Sequence, residues 1–197
     1  MRGQAHTVEA FGAAVILVVS LLFAMQVTAV TPLSASTSSQ HIENQQQAVA
    51  EDVLRAADGD GELESAVLYW NASEKAFHGL ESEEDTHYSP NEFADRTAVG
   101  ERLNETFTDR GIAYNLHVNH VDNESRAQQR IVYSGEPSDH AVGATRLLTL
   151  YEGDSLYDAS ETETDTRLNE SETFYVGNTA NESFYGVVEV EVIVWRM

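Results

Sequence analysis

Cysteine is absent from the 197 residues, lysine occurs once, as Lys75, and proline three times. The missing thiol excludes disulfides, a lipidated N-terminal cysteine, thiol catalysis and Cys-zinc sites together. Positive charge is also scarce, with 11 Lys and Arg against 33 Asp and Glu and a net charge of -22. Arg2 and Glu9 cancel within the first thirty residues, so the remainder holds ten basic against 32 acidic groups and the whole excess. Such a chain is a poor partner for nucleic acid or anionic lipid. Its self-repulsion is severe in dilute buffer and is screened at molar salt, where the Debye length falls to about 3 Å. The acids are spread along the chain, not gathered in a tail, which is the pattern of a halophilic surface. Core packing and ions must stabilise the fold.

Catalytic signatures are missing too. There is no G-x-S-x-G, H-E-x-x-H, P-loop or G-x-G-x-x-G, so no catalytic residue and no cofactor is assigned and the chain is not expected to be an enzyme. His117 and His120 stand three apart on an expected strand, which sends them to opposite faces and argues against a shared metal. "DGDGE", Asp58 to Glu62, opens like a calcium loop, but Tyr69 occupies the twelfth position where glutamate is required. "ESEED", Glu81 to Asp85, reads as a solvated acidic loop. No metal site is expected.

What is present begins with a long apolar run. Ala10 to Val30 contains 21 residues without a charge, about 31 Å as a helix, the thickness of a bilayer core. Arg2 before it and the acidic bulk after it place the N-terminus in the cytoplasm and the rest outside. A conventional secretory signal cut near Val27-Thr28-Ala29 is the competitor; the neutral start and the length of the apolar segment argue against it. Glu9 is the anomaly, a carboxylate at the mouth of the run that is costly near lipid unless paired.

The stretch "RGQAHTVEAFGAAVILVVSLLFAMQ" resembles the class III signal of type IV pilins and of haloarchaeal pilin-like proteins: a basic residue, a small residue, a short polar segment, an acid, then an apolar helix. The resemblance implies a prepilin peptidase cut on the cytoplasmic side among Gly3, Gln4 and Ala5. Cleavage after Gly3 makes Glu9 the sixth residue of the mature chain, and cleavage after Gln4 makes it the fifth. It further implies assembly through Glu9, Phe11 and Gly12, with the Glu9 carboxylate paired to a neighbouring subunit's amine. The partners so implied are other pilin-like subunits, the prepilin peptidase, the pilus assembly machinery and membrane lipid.

Thr31-Pro32 is expected to interrupt the helix. A second, amphipathic stalk helix follows, with Ile42, Val49, Val53 and Leu54 on one face, stopped by Gly59 and Gly61. Three segments result: the signal-like and transmembrane segment 1–30, the stalk helix 31–58 and an extracytoplasmic head 59–197. In the head, Leu63 to Trp70 suggests a strand. "SPNEFADRTAVGERLNETFTDRG" is a helix with Ser89 as N-cap, Pro90 first, Glu92 completing a capping box and Gly111 as stop. Ile112 to Val121 alternates as a strand, two more flank the Gly135-Glu136-Pro137 turn, and the "YGVVEVEVIVWRM" segment forms a half-exposed last strand. Residues 157–184 read as a polar surface loop with a short strand at Thr173 to Val176. The expected class is α+β, a mainly antiparallel sheet and helix on a helical stalk.

Five N-x-S/T sequons, at Asn71, Asn104, Asn123, Asn169 and Asn181, are candidate N-glycosylation sites if the head is exported. The functional expectation is a minor pilin or pilin-like (pseudopilin) subunit of a surface filament. The alternative is a single-pass membrane-anchored binding protein that never polymerises, and a secreted enzyme stands third.

Overall fold

A continuous apolar run followed by a segment rich in Ala, Gln and Glu makes the first element long. The computed structural model describes residues 2–80, 87–122, 125–178 and 183–196, with side chains described outside 2–5 and 26–39. The chain divides into two units, residues 1–42 and 43–197. Helix α1, Arg2–Gly59, contributes to both. The expected interruption at Thr31-Pro32 is not there, since the helical backbone continues through it. An internal proline removes one backbone donor and strains one turn, a local cost that does not end this helix.

In the larger unit the end of α1 turns Ala50, Leu54 and Ala57 into the core, with Val49 and Val53 partly covered. The buried face is thus shifted toward the alanines relative to the sequence reading, and Ile42 lies outside it, 37 % exposed. Alanine permits the close approach that a larger residue would prevent. Gly59 ends the helix as expected, and Gly61 takes a left-handed conformation at φ 78°.

The strand expected over Leu63 to Trp70 is instead helix α2, Glu62–Val67, followed by β1, Trp70–Asn71, and β2, Ala76–Phe77, which form a small hairpin. From Ser65 to Trp70 every residue is buried, and a buried run carries no period that separates helix from strand. The capping box at Ser89 forms: Ser89 N donates to Glu92 Oε2 at 2.9 Å and Glu92 N to Ser89 Oγ at 3.4 Å. The single helix expected after it is two, α3, Pro90–Ala94, and α4, Ala98–Thr106. Thr97 adopts extended geometry and caps α4 by accepting from Gly100 N at 3.1 Å. Phe93, Val99, Leu103 and Phe107 are buried, whereas Arg96 is exposed.

The main sheet has the order β4-β3-β8-β5, all antiparallel, built from β3, Ile112–Asp122, β4, Ser125–Val132, β5, Val142–Tyr151, and β8, Phe184–Arg196. Its inner face presents Tyr114, Leu116 and Val118 beside Val188, Val190, Val192 and Val194, all buried. Strand β8 is therefore central, and the strands flanking the Gly135-Glu136-Pro137 turn lie at opposite edges. Ser134 and Gly135 in that connection bond Asn115, at 2.7 Å and 3.0 Å, and so cover part of the outer face.

The polar stretch before β8 is more structured than expected. It contains the hairpin of β6, Ser155–Tyr157, and β7, Glu163–Arg167, and no strand at 173–176. Leu156, Leu168, Phe174 and Val176 are nonetheless buried, so sparse apolar residues in a polar background close one end of the core. Buried tyrosines pin the loops where disulfides cannot. Tyr69 donates to Ala159 O at 3.0 Å, Tyr88 to His78 O at 2.6 Å, Tyr175 to Val67 O at 3.1 Å and Tyr185 to Val176 O at 3.0 Å. Burial raises the pKa of all four phenols.

Candidate functional site: the N-terminal helix and the surfaces of the head

Within α1, His6–Met25 is 20 residues long and apolar enough to cross a membrane or to act as a signal sequence. Its side chains are open: Phe11 is 72 % exposed, Leu17 70 % and Phe23 67 %. Solvent-facing apolar surface on this scale has no reason to persist in water. The hydroxyl of Ser20 donates back to Ile16 O at 2.7 Å, four residues earlier, so that even this polar atom is satisfied inside the helix, as lipid requires.

Glu9 lies at the start of this segment with His6 one turn before it, His6 Nδ1 to Glu9 Oε2 being 3.5 Å. Both side chains are about four-fifths exposed, 83 % and 79 %, so the pair contributes little by itself in water. Phe11 is exposed next to Glu9, and Gly12 has open space where a Cβ would stand. Gly3, Gln4 and Ala5 lie in helical backbone, and their side chains are outside the described residues.

The sequons fall in different settings. Asn169 is exposed on a short 3-10 turn. Asn71 is half-buried, and its Oδ1 accepts from Ser73 N at 3.0 Å and Glu74 N at 3.3 Å. Asn104 is half-buried inside α4, with its Oδ1 enclosed and unpaired. Asn123 and Asn181 lie outside the described residues, as does the acidic loop from Glu81 to Asp85.

The histidines of β3 point to opposite faces, because the register with β8 is unbroken from Ile112 to Asn119. His120 Nε2 meets Tyr175 O on the inner side at 3.2 Å. His117 stands opposite Glu191 and beside Arg130. Burial lowers the pKa of each, against the opposing pull of Glu191 on His117 and of Asp122 on His120. Among the described residues no group of three or more His, Asp or Glu side chains is placed to hold a metal ion. Asp58, Asp60 and Glu62 are instead held by arginines. Arg146 donates twice to Asp58 Oδ2, at 2.8 and 2.6 Å, and Arg102 reaches Glu62 Oε2 and Asp60 Oδ2, both at 2.7 Å. The motif resembling a calcium loop is thus the ionic fastening of the end of α1.

The sequence reading passed over the outer face of the main sheet. Here a groove of about 630 Å³ runs across β4, β3, β8 and β5, lined by Val121, Arg126, Gln128, Leu147, Val187 and Glu189 among others. The signal for it is faint: single apolar residues at strand positions whose neighbours on the same face are polar.

No curated protein and no solved structure matches the chain. A family model does, and its match over residues 2–194 takes in the apolar helix together with the head. By that match the chain belongs to a family of unknown function, DUF7288.

Proposed function

We propose that the chain is a structural, non-catalytic subunit of a cell-surface filament, a minor pilin or pilin-like (pseudopilin) protein. The N-terminal helix spans the membrane once with its start in the cytoplasm, and the head stands outside, where Asn169, exposed on its 3-10 turn, is open to glycosylation. One observation carries the reading: a 20-residue apolar helix with exposed side chains opens on a single carboxylate, Glu9. Lipid or neighbouring apolar helices satisfy such a surface, and a subunit's amine satisfies such a carboxylate. Gly12, with open space around its Cα, suits close approach of a second helix. The partners on this reading are other pilin-like subunits, a prepilin peptidase and its assembly machinery.

The first test is the N-terminal sequence, by mass spectrometry, of protein taken from native membranes. A start at Gln4 or Ala5, lost when the prepilin peptidase is deleted, is the expected result. A start at Met1 or Arg2 overturns it in favour of a plain anchor, and a start near Val30 means a released protein. Glu9→Gln is expected to insert normally but to be depleted from sheared surface filaments; unchanged recovery refutes the pairing.

A second reading, a membrane-anchored binding protein that never polymerises, is favoured by the His6–Glu9 pair at 3.5 Å. A partner within its own helix relieves Glu9 of any need for another subunit. Substitution of His6 by Ala separates the two. A plain anchor loses insertion efficiency, whereas a subunit whose Glu9 pairs with another chain does not.

A further inference from the structure

Within residues 43–197, the described large apolar side chains left exposed are Val121, Leu147, Tyr151, Phe184 and Val187, between 37 % and 65 %. They are not scattered. All five belong to three adjacent strands of one sheet, β3, β8 and β5. Leu147 pairs with Glu189, Val187 with Thr149 and Tyr151 with Phe184, and the groove described above joins Val121 and Leu147 through Val187. Apolar residues gathered on one face of an otherwise acidic surface mark a contact.

The charges on this face are also unlike those of the whole chain. Arg126 and Arg130 stand on β4 opposite Val121 and His117, while Glu189 and Glu191 stand on β8 opposite Asn119 and His117. Two positive charges balance two negative ones on a chain of net charge -22. The signs are sorted by strand, with β3 between them. Asn119 Nδ2 holds both glutamates, Glu189 at 3.2 Å and Glu191 at 3.0 Å, so the acidic column is fixed in place.

We propose that this outer sheet face is a self-complementary contact between the heads of two copies of the chain. A two-fold axis running along the strands between β3 and β8 lays β3 of one copy over β8 of the other, and β4 over β5. Val121 then meets the partner's Val187. Leu147 enters between the stems of the partner's Arg126 and Arg130, whose guanidiniums lie one strand spacing, about 4.8 Å, from Glu189 and Glu191. Stacked sheets about 10 Å apart interdigitate in this way. Elsewhere the excess of acid makes a second copy a repelling neighbour; on this face the repulsion is cancelled and the apolar surface is covered. A nucleic acid or an anionic bilayer would meet the glutamates instead. The contact does not depend on whether the N-terminal helix polymerises.

The absence of cysteine makes the test direct. Full-length Val121→Cys and Val187→Cys proteins, each alone and mixed in detergent micelles at high salt, are oxidised beside Thr166→Cys, an exposed control on β7. The mixture of Val121→Cys with Val187→Cys is expected to form disulfide dimer several-fold more than the Thr166→Cys control, and Leu147→Asp in both partners is expected to abolish the excess. Equal yield at Thr166→Cys, where only helix association brings copies together, overturns the proposal. So does indifference to Leu147→Asp, or crosslinking in native membranes to a different protein only. The N-terminal start, read separately by mass spectrometry, keeps failure here distinct from failure of the filament reading.

Discussion

Gly100→Ala offers a sharp test of the helical corner, because local propensity and tertiary packing predict opposite signs. Inside a helix, replacing glycine by alanine ordinarily stabilises by about 0.5–1 kcal/mol. At Gly100, however, a Cβ would stand 2.5 Å from the carbonyl carbon of Phe93 and 2.7 Å from Thr97 Oγ1. Carbon atoms rest at roughly 3.5 Å, so α3 and α4 must part by about 1 Å. The obstacle is backbone, and Phe93 is fully buried, so neither side yields by a rotamer change. Overpacking of this kind costs about 1–3 kcal/mol, and displacing Thr97 weakens the α4 cap by up to about 1 kcal/mol. Set against the propensity gain, the expected outcome is a net loss of about 1–3 kcal/mol. For a unit of this size that lowers Tm by about 2–4 °C per kcal/mol. The assay is equilibrium urea unfolding of the full chain at constant high salt, followed by tryptophan fluorescence. Gly59→Ala is the matched control: it ends α1 with nothing within 4 Å of its Cβ position and should be neutral or slightly stabilising. If Gly100→Ala equals or exceeds the wild type, the close approach of Phe93 to α4 is refuted.

Other outcomes follow from the charges. Arg102→Ala removes the fork that holds Asp60 and the largely covered Glu62, and a loss of about 1–2 kcal/mol is expected after allowance for solvent screening; Arg102→Lys, a point charge without the fork, should recover only part of it in the same urea titration. His117 and His120 have pKa values pushed below the ordinary 6.5 by burial, so below that pH the unfolded chain binds more protons than the folded head. Stability is therefore full above about pH 6.5 and falls as the medium becomes more acidic. A urea midpoint that declines from about pH 7 to about pH 5, and declines less steeply in His120→Gln, is the expected result; a flat profile in the wild type refutes it.

The parts of this fold legible in the sequence are those written in adjacent residues. Ser89, Pro90 and Glu92 specify a helix start within four positions, but the stop expected at Gly111 is not that helix's end: Gly111, left-handed at φ 71°, closes a 3-10 turn, Thr108–Arg110, beyond α4. The valines of β8 display their inner face by alternation alone. Elsewhere the deciding partner is distant. Between Leu63 and Trp70 only Glu64 and Ser65 are polar, and only the surrounding core selects a helical turn over a strand. Pro32 signals a break that the helix on both sides overrides. Leu156, Leu168, Phe174 and Val176 are too sparse to announce that their segment closes the core. For the candidate site, the apolar helix and Glu9 are visible in the first thirty residues. The outer sheet patch is not, since Val121, Leu147 and Val187 become neighbours only through the strand order.

That order has a consequence for biogenesis. Strands β3 and β5 do not touch except through β8, and the bond from Asn119 to Glu189 joins residues 70 apart. Loops of that span make folding slow relative to local structure. A ribosome adding about 5–20 residues each second leaves β3 without its central neighbour for several seconds. Through that interval the inner face of β3, with Tyr114, Leu116 and Val118, is an open template for wrong strands. Any chaperone or translocation step that delays emergence of β8 prolongs the hazard, and a truncation before Phe184 makes it permanent. On the proposed membrane-spanning reading, the apolar helix precedes the head on the ribosome, so its insertion and the maturation of the sheet are separable events.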